Sequence, residues 1–562
     1  MTNTFDSIIV GAGMSGGWAA KEFSEQGFKT LLLERGPNVE HPVDFPTTNM
    51  QPWDFKHRGQ LTSKEIEDNA VASSCYAFRE DAKHFFVKDK DHAYGQVKPF
   101  DWIRGYQVGG KSIMWARQVQ RWSPFDFEGP ARDGFAVDWP IRYNDLADWY
   151  TYVERFVGVS GNKDGLDVLP DGDFLKPWDS NVVEKYFSQE VKKYYKDRHV
   201  IYGRCAHLTE SRPIFIEQGR GICMSPRICQ RGCSLGGYFN ANSTLIPWGL
   251  KTGNLTLKPN SVVHSILYDE DQKKAIGVRV IDSNSKVSQD YFAKVVFVSA
   301  STLNTNLILL NSKSKRFPNG LGNDNGLLGK FIAFHNYRAT INAEFEGFPQ
   351  YTTEGAKPTS HYIPRFRNVY RQETDFLRGY AAGFGAQPNR ETNKEGFGAE
   401  LSNQLLSTKE TGVWNVNSHM MGETIPKESN LVSLDQEKTD AWGIPLLNID
   451  VDYDGNDEKM IQDFYEQFSE MYEKSGFVNI KTNDNGRRPG NDIHEMGGVR
   501  MGKNPKTSLL NAWNQMHECK NVFVTDGACM TSTSTQNPSL TFMAISARAA
   551  NYAIQQMKKG LI

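Results

Sequence analysis

Gly11-x-Gly13-x-x-Gly16 stands between a short apolar run, residues 6–10, and a segment with helical apolar spacing, residues 14–26. Residues 28–33 then read as a second strand, giving strand, helix and strand within about 30 residues. Gly11 allows the tight turn, Gly13 lets the backbone approach a pyrophosphate, and Gly16 lets helix and strand pack closely. Glu34 ends the second strand, 18 residues beyond Gly16, where a carboxylate accepts hydrogen bonds from a ribose diol. A glycine-rich turn alone does not account for the placement of that acid. The pattern specifies a dinucleotide-binding α/β unit and leaves NAD and FAD both open.

A chain of 562 residues exceeds one simple core, so two or more domains are expected. A net charge of −2 gives no reason to expect nucleic acid or an anionic membrane as partner. No apolar run approaches the roughly 18 residues that span a bilayer. The first residues carry no basic region, and the following apolar run is too short for a signal peptide, so an exported protein would rely on a signal elsewhere. Of seven cysteines, three cluster at positions 223, 229 and 233, unlike an extracellular disulfide framework.

Further strands are expected at 254–257, 262–268 and 294–299. Residues 331–345 and 444–453 read as strands of a sheet of different character. Residues 538–559 form a helix, with Lys558 and Lys559 before Gly560 at its end.

Five other stretches narrow the reading. Val108-Gly109-Gly110-Lys111-Ser112, with Trp115 close behind, resembles the loop of the glucose–methanol–choline oxidoreductases that lies along the flavin. Residues 295–301 (VVFVSAS) resemble the family strand that ends near the cofactor, and 524–527 (VTDG) the stretch that brings an Asp to it. His494-Glu-Met-Gly-Gly-Val-Arg-Met-Gly502 and Gln536-Asn537-Pro538-Ser539 resemble the family's C-terminal signature. These matches extend from residue 6 to 555. The resemblance implies an α/β fold: a Rossmann-like FAD domain and an α+β substrate domain built on an antiparallel sheet. The FAD domain would comprise 1–45, 100–130, 215–330 and 491–562, and the substrate domain 46–99, 131–214 and 331–490. Around FAD it places Gly11, Gly13, Met14, Ser15, Gly16, Glu34, Arg35, Gly109, Gly110, Ser112, Met114, Trp115, Val263, Ala300, Asp526, Gly527 and Asn537. Some sugar-oxidising relatives attach FAD through a His one residue before the Trp. Met114 holds that position here, so FAD is expected to be noncovalent.

Alcohol oxidation needs a base for the hydroxyl proton while the carbon-bound hydride leaves for the flavin. The resemblance assigns the base to His494 and substrate positioning to Asn537, 43 residues later. Asn before Pro is also a helix N-cap signal, so Asn537 has a second, structural reading. The other histidines, His335 and His517 among them, have no comparable sequence context.

Cys223-x5-Cys229-x3-Cys233 lies in a glycine-rich segment, and soft thiolates at such spacing suit iron–sulfur clusters or zinc. A structural zinc site normally takes four ligands. The segment resembles the cluster loop of membrane-linked sugar dehydrogenases in the family, which carry a three-iron cluster on three cysteines. A fourth cysteine of related loops would fall at Pro226. The resemblance therefore implies a [3Fe-4S] cluster on Cys223, Cys229 and Cys233, with Cys205 as an alternative ligand; cysteines without metal are the other reading. Cys75, Cys519 and Cys529 have no partner pattern. The wider match looks most like bacterial glucoside 3-dehydrogenases, which oxidise a pyranose C3 hydroxyl. It implies a small partner subunit bearing an export signal, a cytochrome c acceptor and a periplasmic location, with a cytoplasmic one as alternative. A gluconate- or fructose-type dehydrogenase, a pyranose oxidase-like enzyme and a flavin-bearing subunit without turnover are the rival readings.

Overall fold

The computed structural model describes residues 3–225, 228–351, 353, 357–388, 396–406 and 412–562, so Pro226 lies outside the described residues. Its first sheet grows from the apolar run at the N-terminus. The strand Thr4–Val10 is flanked in parallel by Thr30–Leu33 and Ser288–Val298. Leu255–Lys258 and Val522–Val524 extend the parallel set on either side. Ile8, Ile9, Leu32, Val296 and Phe297 are fully or almost fully buried, as expected of strands covered on both faces. The register aligns Val10 with Leu33 and Val298, and Val298 with Val524. The residues that follow each strand, Gly11, Glu34, Ser299 and Thr525, therefore gather along one carboxyl edge, where open α/β sheets bind ligands. The long strand Ser288–Val298 continues outward into an antiparallel ribbon with Lys274–Asp282 and Ser261–Asp269.

The helix Met14–Glu25 opens straight from the glycine turn and packs against the C-terminal helix Ser539–Lys558. A Cβ on Gly16 would lie 1.8 Å from the Gly11 carbonyl oxygen, so only glycine permits this approach. Gly11 itself has φ +97°, open to glycine at little cost.

The second sheet is antiparallel, in the order His361–Ile363, Tyr380–Pro388, Trp414–Glu423, Ala339–Phe345, Val478–Asp484. Helices Val182–Tyr194 and Gly455–Lys474 cover one face. The strand Tyr380–Pro388 shows the alternation directly: Ala382, Phe384 and Ala386 enter that core, while Gly383 and Gly385 fall on the opposite face.

A third sheet joins Met496–Gly498, Lys330–Ala333, Leu431–Thr439, Pro445–Asp450 and Gly95–Gln96. It splits the apolar stretch 331–345, which reads as one strand in sequence. Lys330–Ala333 enters the third sheet, His335–Asn336 pairs with the end of Trp414–Glu423, and Ala339–Phe345 enters the second. Backbone pairing with segments 69 or more residues away decides this division, and local alternation carries no trace of it.

A buried ionic network ties the substrate sheet to the flavin half. Arg378 donates to Glu423 at 2.9 Å, to Asp133 at 2.8 Å and to the Phe125 carbonyl at 3.1 Å. Arg365 joins Glu423 at 3.4 Å and Asp126 at 3.3 Å. Asp126 in turn accepts from Gln536 Nε2 at 3.1 Å, next to Asn537. No helix among the described residues is long and apolar enough to cross a membrane.

Candidate active site

The carboxyl edge of the parallel sheet opens into a cleft. Gly11, Gly13, Met14, Ser15, Glu34, Arg35, Gly110, Ser112, Trp115, Val263, Ala300, Asp526, Gly527 and Asn537 all line it. A Cβ built on Gly13 meets nothing within 4 Å, and one on Gly110 would first meet the Gly13 Cα at 3.7 Å. The two glycine elements thus lie close to each other, and Gly13 borders open space that a side chain would fill. This fits a flat, extended dinucleotide such as FAD.

Gly16, Gly109 and Met114 act from behind the cleft wall and do not line it. Gly16 packs on Gly11, and Gly109, at φ +96°, leaves room for Asn242. The Met114 side chain turns away into an apolar cluster with Phe45, Phe85 and Ile103.

Glu34 accepts the Ala12 N–H at 2.9 Å and the Gly36 N–H at 3.0 Å, bracing the glycine turn. Burial pushes its carboxyl up to about 7 against those hydrogen bonds. Asp526 accepts from the Thr305 hydroxyl at 2.6 Å and the Ala528 N–H at 3.0 Å, and burial raises it to about 6. Arg35 lies between the rings of Tyr106 and Trp442, 4.5 and 4.9 Å from their centres.

A second cavity of about 720 Å³ opens on the antiparallel sheet, with Gly383 and Gly385, His419, Tyr337, Trp178 and Arg487 in its wall. His494, Asn537, Ile493, Ala116, Arg117 and Gln118 line both spaces, so the two meet at these residues. Asn537 Nδ2 lies 3.4 Å from His494 Nε2. The helix N-cap is Pro538, without a side-chain cap, so the Asn537 side chain faces the histidine and leaves the helix end uncapped. Burial drives the His494 imidazole well below its ordinary pKa, with His335 and the Lys111 ammonium adding to the effect. It stays neutral, with a lone pair to accept a proton.

His335, which the sequence leaves without a context, touches His494: the two Nδ1 atoms are 2.9 Å apart. Asp492 clamps both backbones, accepting the His335 N–H at 2.8 Å and the His494 N–H at 3.3 Å. Burial raises the Asp492 carboxyl to about 7. The only sequence signal for His335 is its place just after a buried strand, shared by many core histidines. His517, by contrast, bonds to Ser508 and joins neither cavity.

Cys223 and Cys233 are buried and Cys229 is partly exposed. Cys229 and Cys233 add to the rise that burial imposes on the Cys223 thiol, and Cys229 to that of Cys233, so the three share one neighbourhood. Among the described residues their sulfurs are not drawn within 4.8 Å of one another, a spacing tighter than a multi-iron cluster requires. Cys229 Sγ lies 3.6 Å from His207 Nε2, and Cys205 Sγ lies 3.0 Å from His207 Nδ1. The Arg117 guanidinium is buried beside Cys229 and Cys205. Soft thiolate donors beside a fixed cation suit an iron–sulfur cluster better than a single hard ion.

Sequence patterns of the GMC oxidoreductases match residues 215–335 and 426–546. The chain is 28% identical to 2-methyl-1,2-propanediol dehydrogenase of Mycolicibacterium austroafricanum, over 97% of this chain and 94% of that protein. It is 26% identical to the fructose dehydrogenase large subunit of Gluconobacter japonicus, over 100% and 99%. Paromamine 6'-oxidase of Streptomyces fradiae is 24% identical, over 97% and 90%. The chain carries segments that match the N- and C-terminal domains of the GMC oxidoreductases and is a flavoprotein oxidoreductase acting on CH–OH groups of sugars or alcohols.

Proposed function

We propose that this chain is an FAD-dependent sugar dehydrogenase that oxidises a secondary ring hydroxyl, at C3 of a glucoside, to a ketone. The observation that carries the reading is the junction of a glycine-cradled cleft with a separate polar cavity at His494 and Asn537. FAD in the cleft would supply the two-electron acceptor for the carbon-bound hydride. His494 takes the hydroxyl proton at Nε2, which faces Asn537, and burial keeps the imidazole neutral beforehand. Asn537 holds the substrate oxygen beside the base without titrating. The polar and aromatic wall, with Trp178, Tyr337 and Gln118, suits a hydroxyl-rich ring. FAD is held noncovalently, because the Met114 side chain carries no nucleophilic nitrogen and points away from the cleft.

Cys223, Cys229 and Cys233 would hold a [3Fe-4S] cluster, supplying a one-electron exit toward a protein acceptor such as a cytochrome c. This exit favours a dehydrogenase over an oxidase. A small subunit with an export signal and a periplasmic location complete the reading; the relative that is itself a large subunit supports the multi-subunit part of it. Methyl glucoside with a dye acceptor tests the assignment: NMR of the product should show a ketone at C3. In His494→Ala, flavin reduction should slow by roughly 10²–10⁴-fold at normal FAD content. Wild-type reduction rates in that variant would place the base elsewhere.

A further inference from the structure

We propose that His335 is a positioning residue that locks His494 in the tautomer with a proton on Nδ1 and a bare Nε2. The inference rests on the reading of His494 as the base.

The contact is built by strand register. Met496 pairs with Ala333 in the antiparallel ladder between Met496–Gly498 and Lys330–Ala333. Continuing that register two places beyond the ladder brings residue 494 opposite residue 335, on the same face. On its other side, His335 is held by pairing with Glu423 at the end of the second sheet. The Asp492 carboxylate ties both backbone N–H groups, so neither ring can drift by backbone motion alone.

The proton positions follow from what each neighbour can accept. His335 Nε2 lies 3.1 Å from both the Thr533 and the Ser534 carbonyl oxygens. Carbonyls only accept, so Nε2 of His335 carries the hydrogen. Burial lowers His335 to about 4, so at neutral pH its other nitrogen, Nδ1, is bare and accepts. The single hydrogen in the 2.9 Å Nδ1–Nδ1 contact therefore belongs to His494. A neutral His494 with its proton on Nδ1 has a lone pair on Nε2. The Asn537 amide, 3.4 Å away, points its Nδ2 donor at that lone pair. The chain of bonds ends at two carbonyls that cannot take a proton onward, so His335 fixes the base and does not relay its proton.

The test combines a spectroscopic and a kinetic readout on the holoenzyme. The 15N ring signals of His494, identified by their absence in His494→Gln, should report a protonated Nδ1 and a bare Nε2 near neutral pH. His335→Leu removes the acceptor. It should shift His494 toward the opposite tautomer and slow flavin reduction by about 10²–10⁴-fold, the range of a misprotonated catalytic histidine. His335→Asn places an amide oxygen near the former Nδ1 and should recover the rate to within about ten-fold of wild type. FAD content and melting temperature of both variants exclude simple unfolding. An Nε2-protonated His494 in the wild-type protein overturns the proposal without any variant. So do Leu and Asn variants that are equally slow, which would leave His335 a space-filling role. Full activity in His494→Ala would instead remove the base assignment and leave the ring measurement to stand or fall by itself.

Discussion

Arg378→Met should destabilise the joint between the substrate sheet and the flavin half, and by an amount that depends on pH. Arg378 is fully buried, and its three hydrogen bonds reach Glu423, Asp133 and the Phe125 carbonyl. Methionine fills much of the same volume but leaves Glu423, also fully buried, with only Arg365 at 3.4 Å. Breaking a buried ion pair from one side costs about 3–5 kcal/mol. At about 2.1 cal/mol/K per residue, 562 residues unfolding together give about 1.2 kcal/mol/K, so the melting temperature should fall by roughly 2–4 K. Burial already raises the Glu423 carboxyl, while Arg378 and Arg365 oppose the rise. Without Arg378 it climbs further. An acid raised in the folded state contributes stability at low pH and loses it as pH rises through the folded value. Asp133, held low by Arg132 and Arg378 against burial, has its contribution in place at both pH 5 and pH 8, so its partial loss lowers stability equally at the two. The deficit should therefore be larger at pH 8 than at pH 5. Calorimetry of the FAD-loaded variant at both pH values decides it. An unchanged melting temperature at pH 8, or a larger deficit at pH 5, would refute the argument.

Acid precipitation of the purified protein should leave the yellow cofactor in the supernatant, since Met114, at the position of the linking His, carries no nucleophilic nitrogen; flavin in the pellet would contradict this. Cys229→Ser should lower iron and sulfide content and slow electron transfer to a cytochrome, while flavin reduction by substrate stays near normal; stopped-flow absorbance separates the two steps. Gly385→Leu should raise KM for the sugar by about ten-fold, near 1.4 kcal/mol of binding, with little effect on FAD content. A Cβ there meets only the Ser360 Cβ at 3.9 Å, so the added side chain extends into the cavity. An unchanged KM would place the substrate away from that wall.

Much of the flavin half could be read directly from residues 6–34, because its determinants are local. The glycine turn, the buried strands and Glu34 act on backbone within a few residues of themselves, and the structure brings them to one sheet edge. The C-terminal helix was legible for the same reason, to within a residue at each end. His494 and Asn537 stood out only because they sit in recognisable motifs, and their 3.4 Å contact is a tertiary fact. What only the folded chain decided is long-range. The pairing of Met496 with Ala333 sets His335 against His494 across 159 positions, and no periodicity in either segment encodes that register. The same holds for Arg378 with Glu423, two charges in sequence and one buried pair in space. The side-chain direction of Met114 likewise depends on packing around Phe45 and Phe85. Short-range pattern dictates the elements, because hydrogen bonding and burial within a strand or helix depend on neighbours. The proton on one nitrogen of His494 depends on which distant strand lies alongside, and that is settled only when the sheets assemble.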